Sequence, residues 1–354
     1  MKLKSKIKNI LFLIKSEGIL SGIITIIDIS INFVRVKLKL VPKGYANPYI
    51  TTIQIEPTKY CNMTCPMCPN SYMNDNEKGN MSYEDFIKIM KQFPLIKWVK
   101  LQGLGEIFLN PDIIKMIRYL KNRDVIVGFA DNCTLFKQKL INTLLDLKVD
   151  FINFSLDTLN PQLFKKIRGV NLFKIVKNNI EKFAETRNNN PKFKHTKLFI
   201  NMVLNNENFH ELPDMVDFAY KIKIDGVIAS LPQIKYLEEQ QDYLKKTTNL
   251  IQNNYNHYFQ IAKDKAKKYG IKLRKSSLDE SFVYSCYWNF TRVYITWDGY
   301  ITPCCHIENP KLFNFGNILQ NSFKKIWNSP KYRYFRINHF DPKSICKLCP
   351  HLNK

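Results

Sequence analysis

Between residues 51 and 230 the chain alternates between two hydrophobic periods. Short β-prone runs at residues 51–56, 98–102, 125–130, 151–156, 198–204 and 226–230 are separated by stretches with helical spacing of apolar positions. Ser82 stands as a cap with Asp85 three residues on, and Phe86, Ile87, Ile89 and Met90 supply the apolar side of the helix that follows. Asn110-Pro111 reads as another helix start, ahead of Ile113, Ile114, Ile117 and Leu120. Six strands alternating with helices predict an α/β fold with a parallel sheet and crossover helices outside it. Right-handed crossovers leave an open partial barrel or a doubly wound sheet, and periodicity does not choose between them.

The flanks read differently. Residues 237–269 form a long polar helical stretch ending at Gly270, and Asp298-Gly299 between two β-prone runs is a hairpin turn signal. In residues 1–48, Lys2, Lys4, Lys6, Lys8 and Lys15 are interleaved with Ile7, Ile10, Leu11, Phe12, Leu13 and Ile14, a basic amphipathic pattern. Residues 19–34 are apolar but carry Asp28. A spanning helix needs about 20 apolar residues, and a central Asp costs about 2.5–3.5 kcal/mol on insertion scales, so no transmembrane span is expected. The arm either lies on an anionic membrane surface or packs against the main domain, with packing slightly favoured. The expected segments are this arm (1–48), an α/β domain (49–235), a helical linker (236–283) and a cysteine-rich domain (284–354).

Composition sharpens the picture in two places. With 354 residues, 45% hydrophobic and 24% charged, the chain suits one large globular domain and a smaller one. Nine cysteines, in metal-like spacings rather than a disulfide framework and without a secretory signal, point to a reducing cytoplasm. If the arm meets lipid, the place is the periphery of the inner membrane surface. The net charge of +24 suits an anionic substrate or anionic membrane, or reflects an overall abundance of Lys, Asn and Ile. Nucleic acid is the weakest partner, because no binding module accompanies the charge.

The chemistry concentrates in Cys61, Cys65 and Cys68, spaced C-x3-C-x2-C after the first strand. Three thiolates on one loop can hold three corners of a cubane iron–sulfur cluster and leave the fourth iron open. A zinc knuckle is the alternative, although a structural zinc site wants four closed ligands. Here the chain resembles the radical S-adenosylmethionine (radical SAM) superfamily. The resemblance implies a partial (β/α)6 TIM-like barrel and a [4Fe–4S] cluster whose open iron binds SAM. It also implies a one-electron donor, such as flavodoxin or ferredoxin, and reductive cleavage to a 5′-deoxyadenosyl radical. Gly103-Leu104-Gly105-Glu106 stands where the family usually has Gly-Gly-Glu, which implies Gly105 and Glu106 beside the methionine amino group; Leu104 departs from the pattern. Asp131-Asn132-Cys133-Thr134 replaces a usual Thr-Asn-Gly-Thr, implying Asn132 toward the adenosine and leaving Cys133 as a small buried residue. Ser155-Leu156-Asp157 followed by Arg168-Gly169 is similar to the SPASM-type subgroup. By that resemblance Ser155 and Arg168 meet the SAM carboxylate, with Asp157 in the same motif, and Asn201 reaches the ribose.

The remaining cysteines are Cys286, Cys304, Cys305, Cys346 and Cys349, with Phe315-Gly316-Asn317-Ile318 and Lys325-Ile326-Trp327-Asn328 between them. This pattern resembles the SPASM or shorter twitch domain, a small iron–sulfur domain containing a β-hairpin. It implies an auxiliary [4Fe–4S] cluster on Cys286, Cys304, Cys346 and Cys349, with Cys305 left over or substituting for Cys304. A zinc ribbon is the alternative for four cysteines in two pairs. His306 and Glu308 are expected on a solvated loop. The implied reaction is hydrogen abstraction from a carbohydrate, lipid or other small metabolite, with the auxiliary cluster aiding oxidation or binding. Maturation of a ribosomally made peptide is the second reading, for which residues 1–48 are too short and too apolar to supply the usual peptide-binding segment. A non-catalytic metal-stabilised binding protein is the rival of another class.

Overall fold

The structure, a computed structural model, describes residues 31, 38, 40–230, 232, 238–248, 251–276, 288–339, 341 and 344–348. Most of the 1–48 arm, Cys286 and Cys349 lie outside them. The chain divides into two compact units, Ile55–Tyr83 with Lys97–Leu278, and Met1–Gln54 with Glu84–Ile96 and Asp279–Lys354. No helix among the described residues is long and apolar enough to cross a membrane.

In the first unit, β2 (Trp98–Leu101), β3 (Ile126–Asp131), β4 (Phe151–Ser155), β5 (Lys197–Val203), β6 (Gly226–Ser230) and β7 (Lys272–Ser276) lie side by side in sequence order. Every pairing among them is parallel. β1 (Thr52–Ile55) feeds this sheet, with Gln102 donating its backbone N–H to the Ile55 carbonyl at 2.9 Å. Strand order never reverses, whereas a doubly wound sheet needs a reversal point. The singly wound, barrel-type alternative is the one the chain adopts.

The two faces of the sheet explain the winding. Val99, Val127, Phe129, Ile152, Phe154, Leu198, Ile200, Val227 and Ala229 are fully buried on one face. The helices α2 (Ile113–Lys121), α3 (Gln138–Asp146), α4 (Pro161–Arg168), α5 (Phe173–Asn189) and α6 (Leu212–Lys221) fall between successive strands, and α2 and α6 pack on the strands beside them. Each apolar side chain removed from water there contributes about 1.5–3 kcal/mol. The opposite face carries half-buried Lys100, Asn153, Ser155, Asn201 and Ser230.

Three details differ from the sequence reading. α2 begins at Ile113, two residues past Pro111; Asn110 Oδ1 accepts from Asp112 N at 2.8 Å, and its buried amide donates to Pro57 O (2.7 Å) and Met81 O (2.9 Å). Residues 237–269 are two helices, α7 (Glu238–Thr248) and α8 (Ile251–Tyr269), rather than one. The expected linker also contains β7, which extends the parallel sheet.

In the second unit, Asp298-Gly299 turns the chain between antiparallel β8 (Arg292–Ile295) and β9 (Ile301–Thr302), with Gly299 at φ 85°. α1 (Tyr83–Met90) carries the apolar face expected after Ser82, with Phe86, Ile89 and Met90 buried. Beyond the hairpin, α10 (Phe323–Trp327) and α11 (Pro330–Asn338) follow α9 (Trp288–Thr291) in the count of helices. An aromatic stack of Phe315 on Tyr332, ring centroids 3.6 Å apart, stands at their core.

Candidate functional site

The loop carrying Cys61, Cys65 and Cys68 leaves β1 and is tied down from several directions. Glu106 N donates to Tyr60 O at 2.8 Å, and Lys59 N to Gly79 O at 3.0 Å. Asn70, buried, donates its amide to Lys59 O and Leu104 O at 2.9 and 3.2 Å. Within the loop, Cys68 N and the Ser71 hydroxyl both donate to Cys65 O at 2.9 Å. Asn132 Nδ2 reaches Asn62 Oδ1 at 2.7 Å, and Asn62 Nδ2 reaches Thr134 Oγ1 at 2.8 Å. Gln240, on α7, donates to Met67 O at 2.6 Å.

Two glycines let other segments approach this loop. A Cβ on Gly105 would stand 2.4 Å from Thr58 O and 2.7 Å from Tyr60 O. The bare Cα at Gly105 therefore has a reason in the loop itself. α4 starts on an Asn160 cap, whose side chain accepts from Gln162 N and Leu163 N, and stops at Gly169 in the left-handed region (φ 71°). A Cβ on Gly169 would meet Thr64 O at 2.3 Å, and the Thr64 hydroxyl donates to Gly169 O at 3.1 Å.

That stop places Arg168 beside the loop. Its Nη2 pairs with Asp157 Oδ2 at 2.7 Å, both side chains nearly or fully buried, and Asp157 Oδ1 accepts from Val203 N at 2.8 Å. Arg168 also hydrogen-bonds the Cys65 sulfur. Burial raises the Cys65 thiol, opposed by the Arg168 charge, and burial pushes Cys61 up to about 11. Ser155 and Asn201 are direct register partners on β4 and β5, and Ser230 Oγ donates to Asn201 Oδ1 at 2.8 Å.

Glu106 and Asp131 form a pair that sequence reading did not anticipate. Both are buried; Glu106 Oε2 accepts from Asn132 N at 2.8 Å and Asp131 Oδ1 from Cys133 N at 2.6 Å. Burial first, then the adjacent Glu106 charge, drives the Asp131 carboxyl well above its ordinary range, and burial raises Glu106 as well. Asp131 was visible only as a departure from Thr. Cys133 is fully buried.

Of the predicted site residues, the first unit brings together Cys61, Cys65, Cys68, Gly105, Glu106, Asn132, Asp157 and Arg168 around one loop, with Ser155 and Asn201 side by side on the neighbouring strands. In the second unit, Cys304 and Cys305 follow β9 half-buried, and His306 N donates to Cys304 Sγ at 3.4 Å. Cys346 is buried in a single 3-10 turn, Ile345–Leu348. Glu308, expected on a solvated loop, is only 2% exposed. Among the described residues no three His, Cys, Asp or Glu side chains are already gathered tightly enough to hold a metal ion.

Residues 55–219 match the radical SAM superfamily, and residues 286–350 match SPASM, an iron–sulfur cluster-binding domain. The tungsten-containing aldehyde ferredoxin oxidoreductase cofactor-modifying protein of Pyrococcus furiosus is 25% identical over 80% of this chain and 82% of its own. A probable GTP 3′,8-cyclase of Methanococcus maripaludis is 27% identical over 77% of this chain and 90% of its own. Among solved structures, Streptococcus suis SuiB bound to S-adenosylmethionine superposes with a TM-score of 0.66 at 19% identity, covering 86% of this chain and 70% of SuiB. SuiB is also known bound to its precursor peptide SuiA.

The chain belongs to the radical SAM superfamily and carries a SPASM-type auxiliary domain. Its fold is the partial barrel of that superfamily, and its cofactors are a [4Fe–4S] cluster with an open iron, SAM, and auxiliary iron–sulfur chemistry. The residues present fit the first of these groups. Three thiols share one loop whose backbone is fixed at Tyr60, Cys65 and Met67 and whose Thr64 hydroxyl is held by Gly169 O, and the buried Nε of Arg168 has no hydrogen-bond partner among the described residues.

Proposed function

We propose that this enzyme cleaves SAM reductively at the loop of Cys61, Cys65 and Cys68 and turns the product on a small-molecule substrate. When bound there, a reduced cluster and SAM would supply the one-electron chemistry for hydrogen abstraction from carbon. The three cysteines hold the cluster. Arg168, held in place by Asp157, presents a guanidinium to the SAM carboxylate, since a planar fork matches a carboxylate. Ser155 offers a hydroxyl to the same group and Asn201 an amide to the ribose. Gly105 and Glu106 shape the methionine end, and Asn132 positions the adenosine end through its bonds to Asn62 and Thr134. Cys286, Cys304, Cys346 and Cys349 hold the auxiliary cluster in residues 284–354, where it aids oxidation or binding.

The observation that carries the substrate class is the set of relatives matched over most of both chains. One is named for modifying a cofactor and the other for cyclising GTP, both small molecules. The likeness to SuiB, which takes a precursor peptide, is at an identity where the fold alone is shared. A flavodoxin- or ferredoxin-like donor supplies the electron in the cytoplasm, and residues 1–48 offer either a membrane-surface contact or a packing segment.

The test is anaerobic reconstitution followed by iron analysis and incubation with SAM and dithionite. About eight irons per chain are expected from two cubanes, with 5′-deoxyadenosine as product. Cys65→Ala should abolish that product and lose about half of the iron. Zinc in place of iron, or a product unaffected by Cys65→Ala, would overturn the reading.

A further inference from the structure

The open face of the parallel sheet carries several cations, and no acidic side chain alternates among them on β2 to β7. Register fixes which positions share that face. Ser155 pairs with Asn201, Asn201 with Ile228, and Ile228 with Arg274, so one row runs from β4 across to β7. The row below it includes Asn153, Phe199, Gly226 and Lys272. From β2 to β7, none of the positions alternating on this face is Asp or Glu, whereas Lys100, Lys197, Lys272 and Arg274 all are cationic. Lys197 is paired with Asp225 at 3.3 Å.

Arg274 is the cation best placed to act. It is exposed, and its guanidinium lies over the buried Phe199 ring, 4.8 Å from the centroid. Gly226, between Phe199 and Lys272 in the lower row, has no side chain, and a Cβ there would meet Lys272 O at 1.9 Å. An aromatic face under one side of a guanidinium restrains its orientation while leaving the N–H edge available. Among the described residues Arg274 is in no ion pair. Its row is also that of Ser155 and Asn201, the residues assigned above to SAM.

We infer that Arg274 forms an oxyanion subsite on the inner face of the sheet, and that the substrate carries a phosphate or carboxylate seated there. This rests on the small-molecule reading above and narrows it to anionic substrates. A guanidinium held on one face accepts both groups through the same two-point fork. Its place on β7, two strands from Asn201, puts an anion bound there on the same face as the SAM-facing positions.

Inorganic phosphate and succinate, titrated calorimetrically into the reconstituted full chain with SAM present, test the inference. At least one should bind saturably in 150 mM salt, which screens diffuse surface charge over about 8 Å. Arg274→Met should weaken it at least tenfold, and Arg274→Lys by less, because a point charge keeps attraction but loses the fork. Lys192→Met, removing an exposed charge elsewhere, should leave binding unchanged. The tighter of the two anions identifies the phosphoryl or the carboxyl source. No saturable binding of either, equal binding to Arg274→Met, or an equal loss in Lys192→Met would overturn it, as would capture of an acidic peptide alone. Formation of 5′-deoxyadenosine by the wild-type chain is scored separately, so failure of the underlying reading is distinguishable from failure of this subsite.

Discussion

The two cysteine-bearing regions are held by different kinds of interaction. Around Cys61, Cys65 and Cys68 the loop's own peptide groups are bonded to Glu106, Gly79, Asn70 and Gln240, and its Thr64 hydroxyl to Gly169 O. In the second unit, which carries Cys304, Cys305 and Cys346, rings and one buried cation hold the helices after the hairpin: Arg336 lies 4.1 Å from both the Trp327 and Tyr332 rings and donates to Asn289 O and Gly44 O. The first arrangement fixes the cysteine loop itself by hydrogen bonds; the second packs the helices that follow the hairpin through rings and a cation. A site that must hold a substrate-sized cofactor beside an open iron needs the first kind of precision.

Removing the buried cation from each region is the strongest way to break this contrast. Arg168→Met should cost about 3–5 kcal/mol, because Asp157 would be left as a buried charge without its partner. Arg336→Met should cost at most about 2 kcal/mol, since it removes cation–π and carbonyl contacts but strands no opposite charge. Denaturant unfolding of the two variants checks the ranking, and equal losses would erase the distinction. Burial already lowers the Arg336 guanidinium to about 10, so this cation is expensive to keep charged.

A smaller effect separates two glycines with the same backbone. Gly169 (φ 71°) and Gly270 (φ 68°) both end helices in the left-handed region, but a Cβ on Gly270 meets nothing within 4 Å. Gly270→Ala should cost about 1–2 kcal/mol from handedness alone and leave iron content unchanged. Gly169→Ala should cost more and lower iron loading, because the added methyl must displace the backbone at Thr64. Iron retained at wild-type level in Gly169→Ala would detach that cap from the loop's geometry.

The smallest effect concerns pH. Asp131 has a folded-state carboxyl raised well above its unfolded value, chiefly by burial. Below about pH 4 both states hold the proton and the contribution to stability is complete. As pH climbs toward the folded-state value, only the unfolded chain ionises, so stability is lost with rising pH. Asp131→Asn keeps a neutral side chain of the same shape and should flatten that decline in urea midpoints measured between pH 4 and 8. An unchanged slope would mean that the Glu106 pair titrates without Asp131.

Strands β2 to β6 lie within two residues of their sequence positions, because apolar runs bounded by turns survive any tertiary context. β7 escaped notice: Lys272-Leu273-Arg274-Lys275-Ser276 holds one apolar residue, and its strand state comes from pairing with β6. The three thiols were legible because covalent spacing alone brings them onto one loop. Glu106 with Asp131, and Gln240 with Met67, were not, since each joins residues from separate elements that only the fold makes neighbours. Asn110 was legible in part: its Oδ1 accepts from Asp112 N ahead of α2, while its amide's bonds to Pro57 O and Met81 O join segments that only the fold brings together.

The terminal position of β7 has a consequence for solubility. Among the described residues its outer row of backbone N–H and C=O groups is the sheet's last, and Lys272 and Lys275 stand on that strand. Like charges along an edge oppose the docking of a second chain's strand. The barrel's closing strand therefore doubles as a guard against sheet-to-sheet aggregation, and a chain with those lysines neutralised should form oligomers in which strands of different copies pair.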